Sequence, residues 1–137
     1  MTNSRETELL ASVPDGLFIG GAWRPAEEAA TFDVIDPATG AVVRSIADAT
    51  VADGKAAMDA AADAFPGWAA TPVRERAEIL RRAFDLLQAR KEDVALLMTI
   101  EMGKPLAEAR GEVAYGGEFL RWFSEEAAHV QGRYGAN

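Results

Sequence analysis

Thr99-Ile100-Glu101-Met102-Gly103-Lys104-Pro105-Leu106-Ala107-Glu108-Ala109-Arg110-Gly111-Glu112-Val113 sets the order of the helices in this chain. It holds a helix end, a turn and a helix start in one short run. Val94, Leu97 and Met98 mark the inner face of a short helix expected over roughly 92–102. Gly103 suits the left-handed position that closes it. Pro105 has no N–H to lose and so suits the first turn of the next helix. That helix is expected to continue to about Val130, with an apolar line through Leu106, Ala109, Val113, Gly117, Leu120, Phe123/Ser124, Ala127 and Val130. Gly111, Gly116 and Gly117 interrupt it at about 1 kcal/mol each against alanine. Close packing against a neighbouring element is expected to compensate.

Two hairpins and two further helices precede this stretch in the reading. Leu17-Phe18-Ile19 reads as a strand, Gly20-Gly21 as a two-residue turn and Ala22-Trp23 as the start of the return strand. Thr31 to Ile35 and Val42 to Ile46 form a second pair, joined by the turn Asp36-Pro37-Ala38-Thr39-Gly40. Thr50 and Asp53 stand at capping-box spacing. Met58, Ala61, Ala62 and Phe65 then recur at helical spacing, and Pro66-Gly67 is expected to end that helix with Trp68 packed beneath it. Thr71 caps the next helix in this reading and Pro72 enters it. Its stripe is Ile79, Leu80, Ala83, Phe84 and Leu87, and Arg74–Glu78 and Glu78–Arg82 are expected as outer ion pairs. Residues 1–14 are polar and read as a flexible tail, with Leu9, Leu10 and Val13 as its candidate anchors.

Composition bounds the function. The 137 residues carry a net charge of -8, which argues against nucleic acid and against anionic membrane surfaces as partners. No stretch approaches the roughly 18 apolar residues of a membrane span, and no signal peptide is visible. The sequence has no cysteine, so disulfides, thiolate metal sites and cysteine catalysis are excluded within this chain.

Motifs that suggest chemistry have plainer readings. Gly103-Lys104 lacks the upstream glycine loop of a P-loop, and Lys104 reads as a helix-junction residue. His129 is the one histidine, without a second for a metal pair or a catalytic dyad, and reads as solvent-facing. Glu112, Glu118, Glu125 and Glu126 fall on several faces of the long helix and read as a solvated acidic surface.

Ile19-Gly20-Gly21-Ala22-Trp23, Asp36-Pro37-Ala38-Thr39-Gly40, Glu75-Arg76-Ala77-Glu78-Ile79-Leu80-Arg81 and the Thr99–Val113 run, in this order, resemble the N-terminal part of the aldehyde dehydrogenase superfamily. Within it, Gly103-Lys104-Pro105-Leu106-Ala107-Glu108-Ala109, Gly111-Glu112-Val113 and Trp122-Phe123-Ser124-Glu125-Glu126-Ala127 look most like succinate-semialdehyde dehydrogenases. The resemblance implies an α/β fold class. This would be an N-terminal fragment of the aldehyde dehydrogenase fold, short β-hairpins followed by three or four α-helices and mostly helical. Residues 15–137 would be a partial coenzyme-domain segment.

The family oxidises an aldehyde through a cysteine thiohemiacetal, passes hydride to NAD or NADP, and releases the acid after a glutamate activates water. By resemblance the cysteine, the oxyanion asparagine, the base and the coenzyme-binding lysine all lie past Asn137. The chain is therefore expected to be inactive alone and to bind neither coenzyme. The full-length form is expected to be a cytoplasmic homo-oligomer acting on a small aldehyde, most of all succinate semialdehyde, with betaine or lactaldehyde branches as rivals. A non-enzymatic helical interaction module that kept this fold is the other reading.

Two site assignments also come from the resemblance. Many family members hold a structural monovalent cation, and the matching positions are Val34, Ile35 and Glu101. Glu101 could equally cap its helix or pair with Lys104. Tyr115 and Phe119, four apart on one helix face, match the helix that passes the mouth of the aldehyde tunnel. Plain aromatic packing is the competing reading.

Overall fold

The structure is a computed structural model, and residues 4–129 are described. Helix α1 (Ser4–Ser12) precedes two antiparallel hairpins, β1 (Leu17–Ile19) with β2 (Ala22–Arg24) and β3 (Thr31–Ile35) with β4 (Val42–Ala47). Four helices follow: α2 (Val51–Ala70), α3 (Val73–Ala89), α4 (Lys91–Met102) and α5 (Leu106–Glu126), the last running into a 3₁₀ turn at Ala127–His129. The end of the long helix expected at Val130 lies outside the described residues.

Local chemistry accounts for most boundaries. Gly20 and Gly21 both take positive φ, at 62° and 84°, as a tight two-residue hairpin requires. The register pairs Phe18 with Trp23, whose rings lie 5.1 Å apart. In the second hairpin the Asp36 carboxylate accepts from the Ala38 N–H and the Thr39 hydroxyl, both at 2.8 Å. These bonds hold the Asp36 carboxyl below its ordinary pKa, the Thr39 hydroxyl being the larger cause.

At the entry of α2 the capping box is complete. Asp53 N–H donates to Thr50 Oγ1, and the Asp53 carboxylate accepts from the Thr50 N–H at 3.0 Å. That carboxylate also receives the Glu27 N–H at 3.1 Å and the Arg24 guanidinium at 3.0 Å. Asp53 is 2% exposed and ties α2 to the end of the first hairpin. The Thr50 and Glu27 backbone donors, with Arg24 adding a smaller charge effect, hold its carboxyl below the ordinary value.

The helical core is built from small side chains. Ala95 of α4 and Ala109 and Val113 of α5 are buried, with Leu87, Val94, Met98 and Leu106 packed around them. Gly117 lets α5 approach α3. A Cβ there would stand 3.1 Å from Gln88 Nε2 and 3.5 Å from Leu87 Cδ2. The compensation expected for the three helix glycines is therefore present at Gly117, while Gly111 and Gly116 face open space. Gly103 has φ 73°, and its missing Cβ would fall 2.9 Å from Pro37 Cγ, so the β3–β4 turn rests on the α4–α5 junction.

Several expectations need correction. Residues 1–14 were expected to form a flexible tail, yet α1 occupies 4–12. Its Leu9 and Leu10 are half-buried, Arg5 pairs with Asp93 at 3.1 Å, and Arg44 donates to the Leu10 carbonyl, capping the helix end. Pro66-Gly67 does not end α2, which runs on to Ala70. A proline removes one backbone bond and need not stop a helix when the following turn still closes. Here the Thr71 N–H reaches the Trp68 carbonyl and the Thr71 hydroxyl reaches Gly67 O at 3.0 Å. Thr71 is thus spent on closing α2 and does not cap α3, which begins behind Pro72 without a side-chain cap. Trp68 is exposed and does not pack beneath the helix. On α3 the ion pairs run from Arg81 to Asp85 and to Glu125, in place of Arg74–Glu78 and Glu78–Arg82.

Three stability outcomes follow from these contacts. Asp53→Asn should lower the melting temperature of the chain by several degrees near neutral pH, because a buried carboxylate site loses its charge-assisted bonds. A lowered folded-state pKa stabilises above the unfolded value of about 3.8, and that stabilisation is lost as pH falls through the folded value. The wild type should therefore show an acid-unfolding limb below about pH 4 that Asp53→Asn flattens. In thermal melts Gly116→Ala should stabilise by about 0.5–1 kcal/mol, since nothing obstructs its Cβ. Gly117→Leu should destabilise by about 1–3 kcal/mol through overpacking against α3.

Candidate functional site

Helix α5 carries two faces. Ala109, Val113, Gly117 and Ser124 are buried against α3 and α4. Ser124 stays compatible with burial because its hydroxyl donates to the Arg121 carbonyl at 2.6 Å. Elsewhere on the same helix Tyr115, Phe119, Trp122 and Phe123 are exposed and, with Glu118, line an open hollow of about 360 Å³. The i, i+4, i+7, i+8 spacing from Tyr115 places the four rings on one side of a helix.

Tyr115 and Phe119, the expected tunnel-mouth pair, meet edge to face, with centroids 5.1 Å apart and planes at 89°. That geometry sets the positive ring edge on the negative face of its neighbour. Trp122 and Phe123 complete the surface and were missed as site residues. The packed line left Phe123 and Ser124 as alternatives, and Ser124 is the one that turns inward. The helical spacing itself carried the signal. The charged rim is compensated: Arg121 lies 3.3 Å from Glu125 and 4.0 Å from Glu118.

The second assignment joins two elements. Val34 is half-buried and Ile35 is exposed, and the β3–β4 register slips between them. Val34 faces Arg44 and Ile35 faces Val42, so the extra residue of this bulge is Val43 on β4. Glu101 is exposed near the end of α4. The contact of Pro37 with the Gly103 position brings the end of this hairpin against the end of α4. Glu101 does not pair with Lys104, which extends instead to Glu112 in a half-shielded ion pair.

Among the described residues no group of three or more His, Asp or Glu side chains is placed to hold a metal. His129 is exposed and stands 3.7 Å from Glu126. The Thr99 hydroxyl donates to the Ala95 carbonyl at 3.1 Å, so it is engaged along its own helix. Among the described residues no helix is long and apolar enough to cross a membrane. The chemistry that this surface offers is apolar and aromatic contact, without a nucleophile and base side by side.

Comparison with known proteins gives a consistent picture. Residues 23–137 match the model of the aldehyde dehydrogenase family. Over 93 residues the chain is 66% identical to a succinate-semialdehyde dehydrogenase of Paenarthrobacter nicotinovorans, covering 68% of this chain and 21% of that protein. It is 47% identical over 115 residues to a glutarate-semialdehyde dehydrogenase of Pseudomonas aeruginosa, covering 84% of this chain and 24% of that one. The crystal structure of succinate-semialdehyde dehydrogenase from Burkholderia pseudomallei superposes with a TM-score of 0.81 at 48% identity, over 84% of this chain and 24% of that chain. The chain therefore spans about a fifth to a quarter of the length of these relatives.

If Tyr115 borders a substrate path in a longer form of this protein, Tyr115→Ala in that form should raise KM several-fold while leaving kcat within about twofold. Unchanged KM and unchanged substrate preference would remove the tunnel-mouth assignment.

Proposed function

The chain belongs to the aldehyde dehydrogenase family, and from that premise we propose that the protein to which it contributes oxidises succinate semialdehyde to succinate. The observation that carries this reading is the 66% identity to a succinate-semialdehyde dehydrogenase. The glutarate-semialdehyde relative supports the broader substrate class of short aldehydes bearing a distal carboxylate.

In this reading residues 15–137 form the first part of the coenzyme domain, and their role is architectural. Helix α5 presents Tyr115 and Phe119 at the mouth of the aldehyde path. The thiolate that attacks the carbonyl comes from outside this sequence, which has no cysteine. Oxidation of an aldehyde removes two electrons, and a bound nicotinamide coenzyme, NAD or NADP, supplies the hydride acceptor. No residue of this chain is assigned a coenzyme contact. Val34, Ile35 and Glu101 are assigned to one side of a structural sodium or potassium site, supported by the register slip between Val34 and Ile35 and by the exposed acid at the end of α4.

The test is an assay of two polypeptides, the 137-residue chain and the product of any reading frame that continues past the Asn137 codon. With succinate semialdehyde and either NAD or NADP, the longer product should turn over and the 137-residue chain should not. Turnover by the short chain would overturn the thiolate scheme. A longer product that oxidises betaine aldehyde or lactaldehyde in preference would move the protein to another branch. Loss of dependence on sodium and potassium in the active form would remove the cation assignment.

A further inference from the structure

Helix α1 is attached to the rest of the chain unevenly. Its C-terminal root is fixed. The Asp15 carbonyl accepts the Ala47 N–H at 2.8 Å, and a Cβ at Gly16 would stand 2.6 Å from the Arg24 carbonyl oxygen, so the backbone just past α1 lies tight against both hairpins. Arg44 of β4 donates to the Leu10 carbonyl and pairs with Asp15 at 3.3 Å, its side chain 26% exposed. The last turn of α1 holds no basic residue of its own, so Arg44 supplies from β4 the positive charge that a helix C-terminus favours. The far end differs. Arg5 meets Asp93 of α4 at 3.1 Å with both side chains about half exposed, and no residue of α1 is fully buried.

We propose that α1 is a salt-released strap, rooted at Asp15 and Arg44 and fastened at its far end by the Arg5–Asp93 pair, which closes one side of the hollow between the β3–β4 hairpin and α4. The hollow has a volume of about 710 Å³. Glu6, Thr7 and Leu10 of α1 form one of its walls, with Val43 of β4 and Thr99 and Ile100 of α4 among the others. The nine residues of α1 are too few to hold a helix in water by themselves. The helix therefore keeps its internal bonds only while it is docked, and undocking and unwinding are one event.

Salt acts on the two ends to different degrees. An ion pair between half-exposed groups is screened, and the screening length falls from about 10 Å at 0.1 M salt to about 3 Å at 1 M. The Arg44 contacts are better shielded, and one of them goes to a backbone carbonyl, which carries only a partial charge. The strap therefore lifts from Ser4 toward its root, and the hollow opens on that side while the hairpins and α3–α5 keep their bonds. Asp93 stands in the first turn of α4, where its charge also favours that helix, so Arg5 is the cleaner member of the pair to change. The inference does not rest on the dehydrogenase reading.

Residue-resolved amide hydrogen exchange of the 137-residue chain at low salt and at about 1 M sodium chloride tests it. The α5 amides of the same sample serve as the reference, which cancels the effect of salt on intrinsic exchange. The amides past the first turn of α1, residues 8–12, should exchange about two- to fivefold faster at high salt, the range that an exposed ion pair commands. The Ala47 amide, which reports on the root through its bond to Asp15, should keep its protection. Arg5→Gln should show the fast rate already at low salt and lose the salt response, whereas Arg5→Lys should retain that response. An α1 unprotected at low salt, an α1 indifferent to salt, an Arg5→Gln chain that responds as the wild type does, or loss of protection at Ala47 together with α1 would overturn the proposal.

Discussion

Close approach of α5 to α3 and α4 is the constraint on which the rest of the molecule depends. It is made by Ala95, Ala109, Val113 and Gly117, side chains too small to hold helices apart. Small residues at a crossing bring backbones near and allow dispersion contacts over a long line. They also fix the phase of the helix. Once Ala109, Val113, Gly117 and Ser124 face inward, Tyr115, Phe119, Trp122 and Phe123 have no inward position left. The aromatic surface of α5 and its slender core are two results of one choice of phase.

A second tie organises the N-terminal half. Five bonds converge on the cap of α2, four of them accepted by the Asp53 carboxylate, and they join the 24–27 stretch to the start of α2. Among the described hydrophobic residues only alanines and Val113 are buried. Polar geometry thus does in this half what side-chain burial does in a larger core. The Arg110–Glu92 pair, with bonds of 2.8–3.2 Å, plays a lesser and more exposed part between α4 and α5. Its reciprocal shifts, Glu92 down and Arg110 up, have the same leading cause in that hydrogen-bonded pair.

What was legible in the sequence was mostly local. Gly20-Gly21, the Asp36–Gly40 turn, the Thr50/Asp53 box and Gly103 each have a backbone reason written in one or two residues, and each stands where that reason puts it. What was not legible depended on distant partners. α1 is held by Asp93 and Arg44, far from it in sequence, so its own polar composition concealed it. Pro66 was overruled by bonds made at Thr71, and the choice between Phe123 and Ser124 as the inward residue turned on where α3 lies. The site shows the same division. The pairing of Tyr115 with Phe119 follows from helical spacing, whereas the partnership of Lys104 with Glu112 instead of Glu101 is a tertiary outcome.

The Asp53 tie has a consequence for how the polypeptide takes shape as it is made. Its partners are Arg24, Glu27 and Thr50, all upstream of Asp53 itself. Every group needed for the tie is therefore synthesised before α3 begins. The first hairpin can lock to the start of α2 while the sequence that builds the α3–α5 core is still being translated. Vectorial synthesis thus meets a module that asks for nothing downstream, followed by a helical layer whose own partners, Phe84 to Gln88 and Gly117, lie only some thirty residues apart.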